Sequence, residues 1–296
     1  MEVNVQDSAL LEVGLPIALA IVMLGLGLTL TVEDFRRIGR APRAVFVALA
    51  IQVTLLPAVA FALVVVFDLA PLLAVGVMLL ASSPGGSTAN LFSHLFGGDV
   101  ALNLTLTAVN SVIAVVSVPV ITNLAVDYFD VTGELGLQLD KIAQVVAVVL
   151  LPVVIGMLVK RRAPGLADRA NRPVRIFSIM VLVGVAAGAL VAERANLAEY
   201  LRSVGVVTAL FCVMSLAAGY AGARLARLDE RQAIASAMEI GIHNTTMALT
   251  IALSVMQSSE IAIPAAVYSI VMYPLAAVFG FMVVRGSMRR RTDGAR

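Results

Sequence analysis

Long apolar segments separated by short polar connectors recur along the whole chain. Nine of them are long enough to cross a bilayer as helices, which takes roughly 17 to 25 residues. Apolar and polar positions do not alternate within them, so the strands of a membrane β-barrel are excluded. Because backbone groups inside lipid must be satisfied internally, the pattern predicts an all-α polytopic membrane protein. The predicted spans are residues 9–30, 44–67, 71–95, 100–124, 142–159, 176–192, 204–222, 232–256 and 261–284.

Composition strengthens this interpretation. Of the 296 residues, 60% are hydrophobic and only 14% are charged, whereas soluble domains carry about 25% charged residues. Ordinary soluble and disordered proteins are therefore excluded. A net charge of +2 gives no electrostatic footprint for nucleic acid. The single cysteine, Cys212, lies in an apolar run and is interpreted as a packing residue.

The basic residues are strongly sided. Most of the 21 Lys and Arg residues follow the first, fifth, seventh and ninth spans, within 36–43, 160–175, 224–231 and 285–296. The positive-inside rule places these connectors in the cytoplasm and the N-terminus outside a cell (inner) membrane. This orientation needs an odd number of spans, which agrees with nine. No basic residue precedes the first apolar run, so a cleaved signal peptide is not expected.

Two spans have polar centres that are unusual for membrane helices. In the third span, residues 82–90 read SSPGGSTAN. Proline removes a hydrogen-bond donor and each glycine costs about 1 kcal/mol in a helix, so a break is expected there. The eighth span contains EIGIHNTT at 239–246. Its Glu239 is an ionisable group at membrane depth, and such groups are rarely present without a function.

The positions of these two spans indicate an inverted repeat. Spans one to four (about 9–124) match spans six to nine (about 176–284) in the opposite orientation, and each interrupted helix is third in its set. The helix at 142–159 is unpaired, and residues 285–296 form a basic tail. Interrupted helices at equivalent positions of inverted repeats predict a secondary transporter with a binding site at the membrane midplane. The whole chain is thus predicted to be one transporter domain.

The polar groups near the breaks suit two kinds of ligand. Helix N-termini favour a carboxylate or sulfonate, and backbone carbonyls with Asn, Thr and Glu oxygens favour Na⁺. The fourth span adds oxygens on one helical stripe, and the second span adds an amide. These further groups are Asn103, Thr107, Asn110, Ser111 and Gln52.

The chain resembles the bile acid:sodium symporter family over nearly its whole length. The resemblance lies in GLGLTLTVEDFR at 25–36, SPGGSTAN at 83–90, GDVALNLTLTAVNS at 98–111 and EIGIHN at 239–244. It implies a core domain that moves against a panel domain, two discontinuous helices that cross at the centre, and two Na⁺ sites beside the crossing. The chain is similar to the nine-span form, which lacks the first helix of ten-span members.

The resemblance also implies site residues. The first Na⁺ site comprises Asn90, Asn103, Thr107, Glu239 and the carbonyl of Ala89. The second comprises Gln52, Glu239, His243 and the carbonyls of Ile240 and Ile242. Substrate contacts are implied for Ser87, Thr88 and Asn244. Three positions depart from the family: Ala89 and Asn103 stand in place of Ser, and His243 stands in place of Gln. One or two Na⁺ ions per cycle, or partial proton coupling through Glu239 and His243, therefore stay open.

We expect a Na⁺-coupled symporter of an organic anion that works by alternating access as a monomer, with no organic cofactor. The anion is either a bile-salt-like sterol or a small carboxylate such as pantoate. A cation/proton antiporter that uses Glu239 is the alternative. An intramembrane hydrolase with Ser82, Ser83 or Ser87 and His243 has no recognisable nucleophile motif, so the chain is not expected to be an enzyme. A non-transporting receptor gives no reason for two broken helices.

Overall fold

A computed structural model describes residues 14–131, 139–192 and 197–293, and within these ranges every regular element is helical. The helices are α1 (Gly14–Thr29), α2 (Val32–Arg36), α3 (Pro42–Ala50), α4 (Leu56–Val66), α5 (Pro71–Ser82), α6 (Ser87–Leu95), α7 (Val100–Tyr128), α8 (Leu139–Arg162), α9 (Pro164–Ala192), α10 (Leu197–Leu225), α11 (Glu230–Gly241), α12 (Thr245–Thr250) and α13 (Ser259–Asp293). A short 3₁₀ helix (Arg37–Gly39) follows α2. The prediction of an all-α protein is confirmed for the described residues.

Two π-helical segments widen the helices beside the centre of the molecule. Ile51–Leu55 joins α3 to α4, and Ile251–Val255 continues α12. The first lies directly before Pro57, whose ring and missing amide hydrogen do not fit a regular α-helical turn. Widening the turn accommodates the proline and places Gln52 in the altered segment.

Two of the breaks in helical geometry lie inside predicted spans, and these two segments pair with each other. Residues 83–86 separate α5 from α6, and 242–244 separate α11 from α12. The Gly86 amide donates to the Ile242 carbonyl at 2.8 Å, and the Asn244 amide donates to the Pro84 carbonyl at 2.8 Å. This antiparallel bridge satisfies backbone groups that the interrupted helices release, as a buried or intramembrane position requires.

Four helical stretches in the described part of the chain are each long and apolar enough to cross a membrane. They are Pro42–Val66, Val100–Tyr128, Val204–Leu225 and Ser259–Gly286. The pair Pro16–Thr29 and Val32–Gly39, bent by 68°, gives a fifth if it is one span. The α5 helix and the stretch Thr245–Val255 are apolar but shorter. The predicted total of nine spans stays a prediction.

Large apolar side chains are exposed along these helices. Phe46 on α3 is 75% exposed and Val66 on α4 is 78% exposed. Leu124 on α7 and Phe281 on α13 are exposed as well. In water such a surface would be unfavourable, but it is the surface that hydrocarbon requires.

Two predicted boundaries differ from the structure. The basic stretch 160–175 is not a loop, because α8 continues to Arg162 and α9 begins at Pro164. Proline suits the first turn of a helix, so the connection can be this short. The last helix also continues to Asp293, so most of the predicted basic tail is helical. The beginning of the predicted first span, residues 9–13, lies outside the described residues.

Candidate functional site

Glu239 lies at the centre of the molecule with only 1% of its surface exposed. It is in the last turn of α11, directly before the break. The Thr107 hydroxyl on α7 lies 2.6 Å from its Oε2 atom. Gly85 lies in close contact with the same carboxylate, because a Cβ atom at this glycine would overlap both carboxylate oxygens. The other oxygen, Oε1, has no hydrogen-bond partner among the described residues.

The α7 helix contacts α11 through a second polar pair one turn away. Asn103 lies four residues before Thr107, and its Nδ2 donates to the Ala235 carbonyl at 2.8 Å. Ala235 likewise lies four residues before Glu239, so the two contacts between the helices are about one helical turn apart. The Asn103 Oδ1 atom is buried and accepts no hydrogen bond within the described structure. Ser111, from the same predicted stripe, instead donates to the Thr107 carbonyl.

Asn90 brings a third oxygen from α6, which packs against both α7 and α11. Its Oδ1 atom is buried and has no donor among the described residues. The neighbouring Ala89 is fully buried. Three helices thus contribute buried oxygens with free lone pairs: Asn90 Oδ1, Asn103 Oδ1 and Glu239 Oε1. Buried acceptors are normally satisfied, and oxygen donors of this kind suit a hard cation such as Na⁺.

The residues implied for a second Na⁺ site are arranged differently. Gln52 Nε2 donates to the Ser83 carbonyl at 3.0 Å, and His243 Nδ1 lies 3.2 Å from the same oxygen. Because a carbonyl can only accept, Nδ1 carries a hydrogen in this contact. The Ile242 carbonyl accepts from Gly86. Gln52 and His243 are therefore both held by the Ser83 carbonyl oxygen. The atoms of these two side chains without a hydrogen-bond partner are Gln52 Oε1 and His243 Nε2.

Aromatic rings surround His243, and the sequence patterns did not identify them. Phe211 on α10 stacks on the imidazole with ring centroids 5.4 Å apart, and Tyr268 on α13 meets it edge-on at 5.5 Å. The Tyr268 hydroxyl also donates to the Gly241 carbonyl at 2.8 Å, at the end of α11. Cys212 is buried against the same carbonyl, which agrees with a packing role. Both aromatic residues lie in apolar runs of the sequence. Only the packing of distant helices shows that these two, unlike their apolar neighbours, contact His243.

A cavity of about 370 Å³ opens beside the paired breaks. Two of the three predicted substrate residues, Thr88 and Asn244, line it, and the Ser87 side chain lies outside the described part of the structure. Sequence patterns missed Asn171 on α9 and Tyr273 on α13, which lie far from the motifs in sequence. The facing wall comes from α1 and is apolar, with Met23 and Leu26.

Two of the serine residues considered for a hydrolase, Ser82 and Ser83, do not form a nucleophile and base pair with His243. Ser82 Oγ donates to the Leu79 carbonyl at 2.8 Å, and Ser83 Oγ donates to the Leu80 carbonyl at 2.7 Å. His243 contacts the backbone oxygen of Ser83 and not its hydroxyl. Nucleophilic catalysis needs the hydroxyl within hydrogen-bond reach of the base. For these two serines the structure gives no such geometry.

Comparison with known proteins identifies the family of this chain. Residues 16–200 match the model of the Sodium Bile acid symporter family. The chain belongs to this family. The match ends before the Glu239 region, but the sequences of relatives align with more of the chain. A protein of Arabidopsis thaliana named "Probable sodium/metabolite cotransporter BASS1, chloroplastic" is 28% identical over 281 residues, which are 94% of this chain and 68% of the plant protein.

Two further relatives come from a bacterium and from human. The "Uncharacterized sodium-dependent transporter YocS" of Bacillus subtilis is 28% identical over 256 residues, 86% of this chain and 78% of that protein. The human ileal sodium/bile acid cotransporter is 28% identical over 285 residues, 93% of this chain and 80% of the human protein. With its apolar helices, this member of the sodium bile acid symporter family is a multi-pass membrane transport protein.

Proposed function

We propose that this protein couples the entry of Na⁺ to the transport of an organic anion. The observation that carries the proposal is the set of three buried oxygens without donors, Asn90 Oδ1, Asn103 Oδ1 and Glu239 Oε1, beside two interrupted helices. A buried carboxylate and two amide oxygens without partners are costly unless a cation satisfies them. Family membership and the names of the relatives support Na⁺ as that cation.

In this proposal the Na⁺ ion joins three helices. Asn90 binds it from α6, Asn103 and Thr107 from α7, and Glu239 from α11, with the Ala89 carbonyl as a further ligand. The ion neutralises the Glu239 carboxylate and fixes the two breaks relative to α7. The Na⁺ gradient and the membrane potential, about 2.3 kcal/mol per charge per 100 mV, supply the driving force.

The substrate binds in the neighbouring cavity. Its acid group contacts Ser87, Thr88 and Asn244 at the starts of α6 and α12, where backbone amides point outward. The apolar wall with Met23 and Leu26 takes the less polar part of the molecule. Both a small carboxylate and one end of a bile-salt-like sterol fit this division, so both classes belong in the transport test.

The proposed membrane topology has nine spans, with repeats at 9–124 and 176–284 and the unpaired helix at 142–159. Its two interrupted helices, α5–α6 and α11–α12, cross at the midplane, and core helices move against a panel. The N-terminus lies outside the cell (inner) membrane. Ion pairs lie at or beside three of the four basic segments, which supports the placement of these segments in water: Arg40–Glu33 (2.9 Å), Lys160–Asp168 (2.5 Å) and Arg224–Glu230 (3.7 Å).

Transport into proteoliposomes tests the proposal. The purified protein is reconstituted, and uptake of radiolabelled taurocholate and pantoate is measured with an inward Na⁺ gradient or an equal K⁺ gradient. We expect at least one of the two acids to accumulate only with Na⁺, and the variants Glu239→Ala and Asn90→Ala to abolish this accumulation. Gly205→Ala is the control, because a Cβ atom there meets open space.

Two outcomes would contradict symport. Equal accumulation with the Na⁺ and K⁺ gradients would show that Na⁺ is not the coupling ion. Accumulation that persists in both variants would show that Glu239 and Asn90 do not form the Na⁺ site. Alkalinisation of the vesicle lumen when Na⁺ alone is added outside, measured with a pH-sensitive dye, would instead favour exchange of Na⁺ for protons through Glu239.

A further inference from the structure

We infer that the residues around His243 do not form a second Na⁺ site, so that transport is coupled to a single Na⁺ ion. The inference rests on the proposed Na⁺-coupled function and concerns the number of ions. It follows from a disagreement between the donor set of this cluster and the ligands that Na⁺ needs. A hard cation takes oxygen ligands, and the cluster offers few free oxygen atoms.

The Ser83 carbonyl oxygen in this cluster is not available to bind a cation. It accepts a hydrogen bond from Gln52 Nε2 at 3.0 Å and lies 3.2 Å from His243 Nδ1. A carbonyl oxygen has two lone pairs, and both are directed to N–H donors in this arrangement. A cation next to this oxygen would therefore have to displace two hydrogen bonds that hold the break in place.

The side chain of His243 cannot replace the missing oxygen. Its Nδ1 carries a hydrogen, and its remaining ring atom with a possible lone pair is a nitrogen, Nε2. Imidazole nitrogen is a ligand for transition metals, whereas Na⁺ prefers carboxylate, amide and carbonyl oxygens. Gln52 Oε1 is then the free side-chain oxygen that this cluster adds to Glu239.

Packing holds the imidazole in this position. Phe211 stacks on one face with an interplanar angle of 26°, and Tyr268 meets the ring at 72°. Tyr268 is itself tied to the Gly241 carbonyl. Because His243 is 1% exposed and wedged between rings on α10 and α13, it cannot turn away to let another oxygen enter.

The first site differs in each of these respects. Asn90, Asn103 and Glu239 each present a free oxygen, and the donor groups nearby are already used elsewhere, as in the bond from Asn103 Nδ2 to Ala235. The two clusters share Glu239, whose Oε2 atom accepts from Thr107 while its Oε1 atom is free for the ion. The cluster around His243 therefore serves as a fixed support for the paired breaks, and the α7 side binds the ion.

Counting bound ions tests the inference. The full-length protein is purified in detergent, and ²²Na⁺ binding is measured to saturation together with the protein concentration. We expect about one ion per wild-type molecule and loss of binding in Glu239→Ala. In His243→Gln an amide oxygen replaces the ring nitrogen, and the count is expected to rise to about two. Gly205→Ala adds a methyl group in open space outside both clusters and leaves the count at about one.

The outcomes separate this inference from the proposed function. Two ions per wild-type molecule would overturn the single-ion inference and leave Na⁺ coupling intact. Absence of saturable ²²Na⁺ binding to folded wild-type protein would contradict the proposed function itself. If His243→Gln does not fold, Na⁺ dependence of wild-type uptake decides the matter, because a hyperbolic curve supports one ion and a sigmoidal curve with a Hill coefficient near two contradicts it.

Discussion

Individual oxygen atoms decide what this centre can bind. Glu239 Oε1 and the amide oxygens of Asn90 and Asn103 are buried without donors, while the neighbouring Ser83 carbonyl has two hydrogen-bonding nitrogens directed at it. Buried oxygen atoms of one centre thus differ in whether they are free to bind a cation. Residue identity alone does not separate the two cases, because the difference lies in which lone pairs are already used.

Thr107 holds the Glu239 carboxylate in place, so its hydroxyl should set the affinity for Na⁺. Replacing it in Thr107→Val removes a hydrogen bond to an acidic group, which is typically worth about 1.5–3 kcal/mol. The half-saturating Na⁺ concentration for uptake is expected to rise about tenfold or more. Thr107→Ser keeps the hydroxyl and should stay close to wild type, and an unchanged Na⁺ dependence in Thr107→Val would contradict this role.

Gly85 gives a second test at the same scale, because a Cβ atom there would overlap the Glu239 carboxylate. We expect Gly85→Ala to displace this carboxylate and to reduce ²²Na⁺ affinity about tenfold or more, since overpacked sites must shift atoms out of their positions. Gly205→Ala adds the same methyl group in open space and should bind as wild type does. Equal affinities in the two variants would exclude a site at the Glu239 carboxylate.

At the scale of helices, two of the three free oxygens lie on helices that begin or end at the interruptions, and the third lies on α7, which packs against both. The motif at 83–90 explains why a helix ends at Ser82, and the motif at 239–244 marks the second break. The bridge between Gly85 and His243 then fixes the breaks to each other. Close helix packing elsewhere keeps the surrounding elements rigid. Between α1 and α8, Cβ atoms on Gly27 and Gly156 would overlap backbone carbonyl groups of the opposite helix.

That packing predicts a loss of stability when a methyl group is added between α1 and α8. Gly156→Ala forces the helices apart, and overpacking of this kind costs about 1–3 kcal/mol. We expect the unfolding midpoint to fall by roughly 2–10 °C. The buried, single Cys212 allows the measurement, because a thiol-reactive fluorophore reports its exposure on unfolding. Gly39→Ala, with open space around it, is the control, and equal midpoints would contradict the packing argument.

For the whole molecule, local sequence patterns predicted the helices and the residues near the breaks better than they predicted contacts between distant segments. Pro84, the glycines after it and Glu239 have local physical consequences that are visible in the sequence. Tyr268 and Asn171 carry no such local signal. They reach the centre only because α13 and α9 pack beside segments far away in the chain. The short connection at Ala163 also depends on packing between the helices that it joins.

The side on which the cavity opens gives a prediction for the complete fold. Thr29, His94 and Asn171 line it, and the proposed topology places each near the cytoplasmic end of its helix. In a Cys212→Ala background, Asn171→Cys should react with a membrane-impermeant maleimide in inside-out vesicles. Asp127 is exposed near the C-terminal end of α7, which the proposed topology places outside the cell. Asp127→Cys should therefore react only in right-side-out vesicles. Labelling of both from one side would contradict the topology.

The most direct test of the central claim is selective stabilisation by Na⁺. Unfolding of the purified protein, followed through Cys212, is measured in NaCl and in KCl at equal ionic strength. A ligand that binds only the folded state raises the unfolding midpoint, and the rise grows with the logarithm of the ligand concentration above its Kd. We predict a rise with Na⁺ that K⁺ does not reproduce and that is lost in Asn90→Ala and Glu239→Ala. Equal midpoints in the two salts, or a Na⁺ effect that persists in both variants, would contradict the claim that these oxygens bind Na⁺.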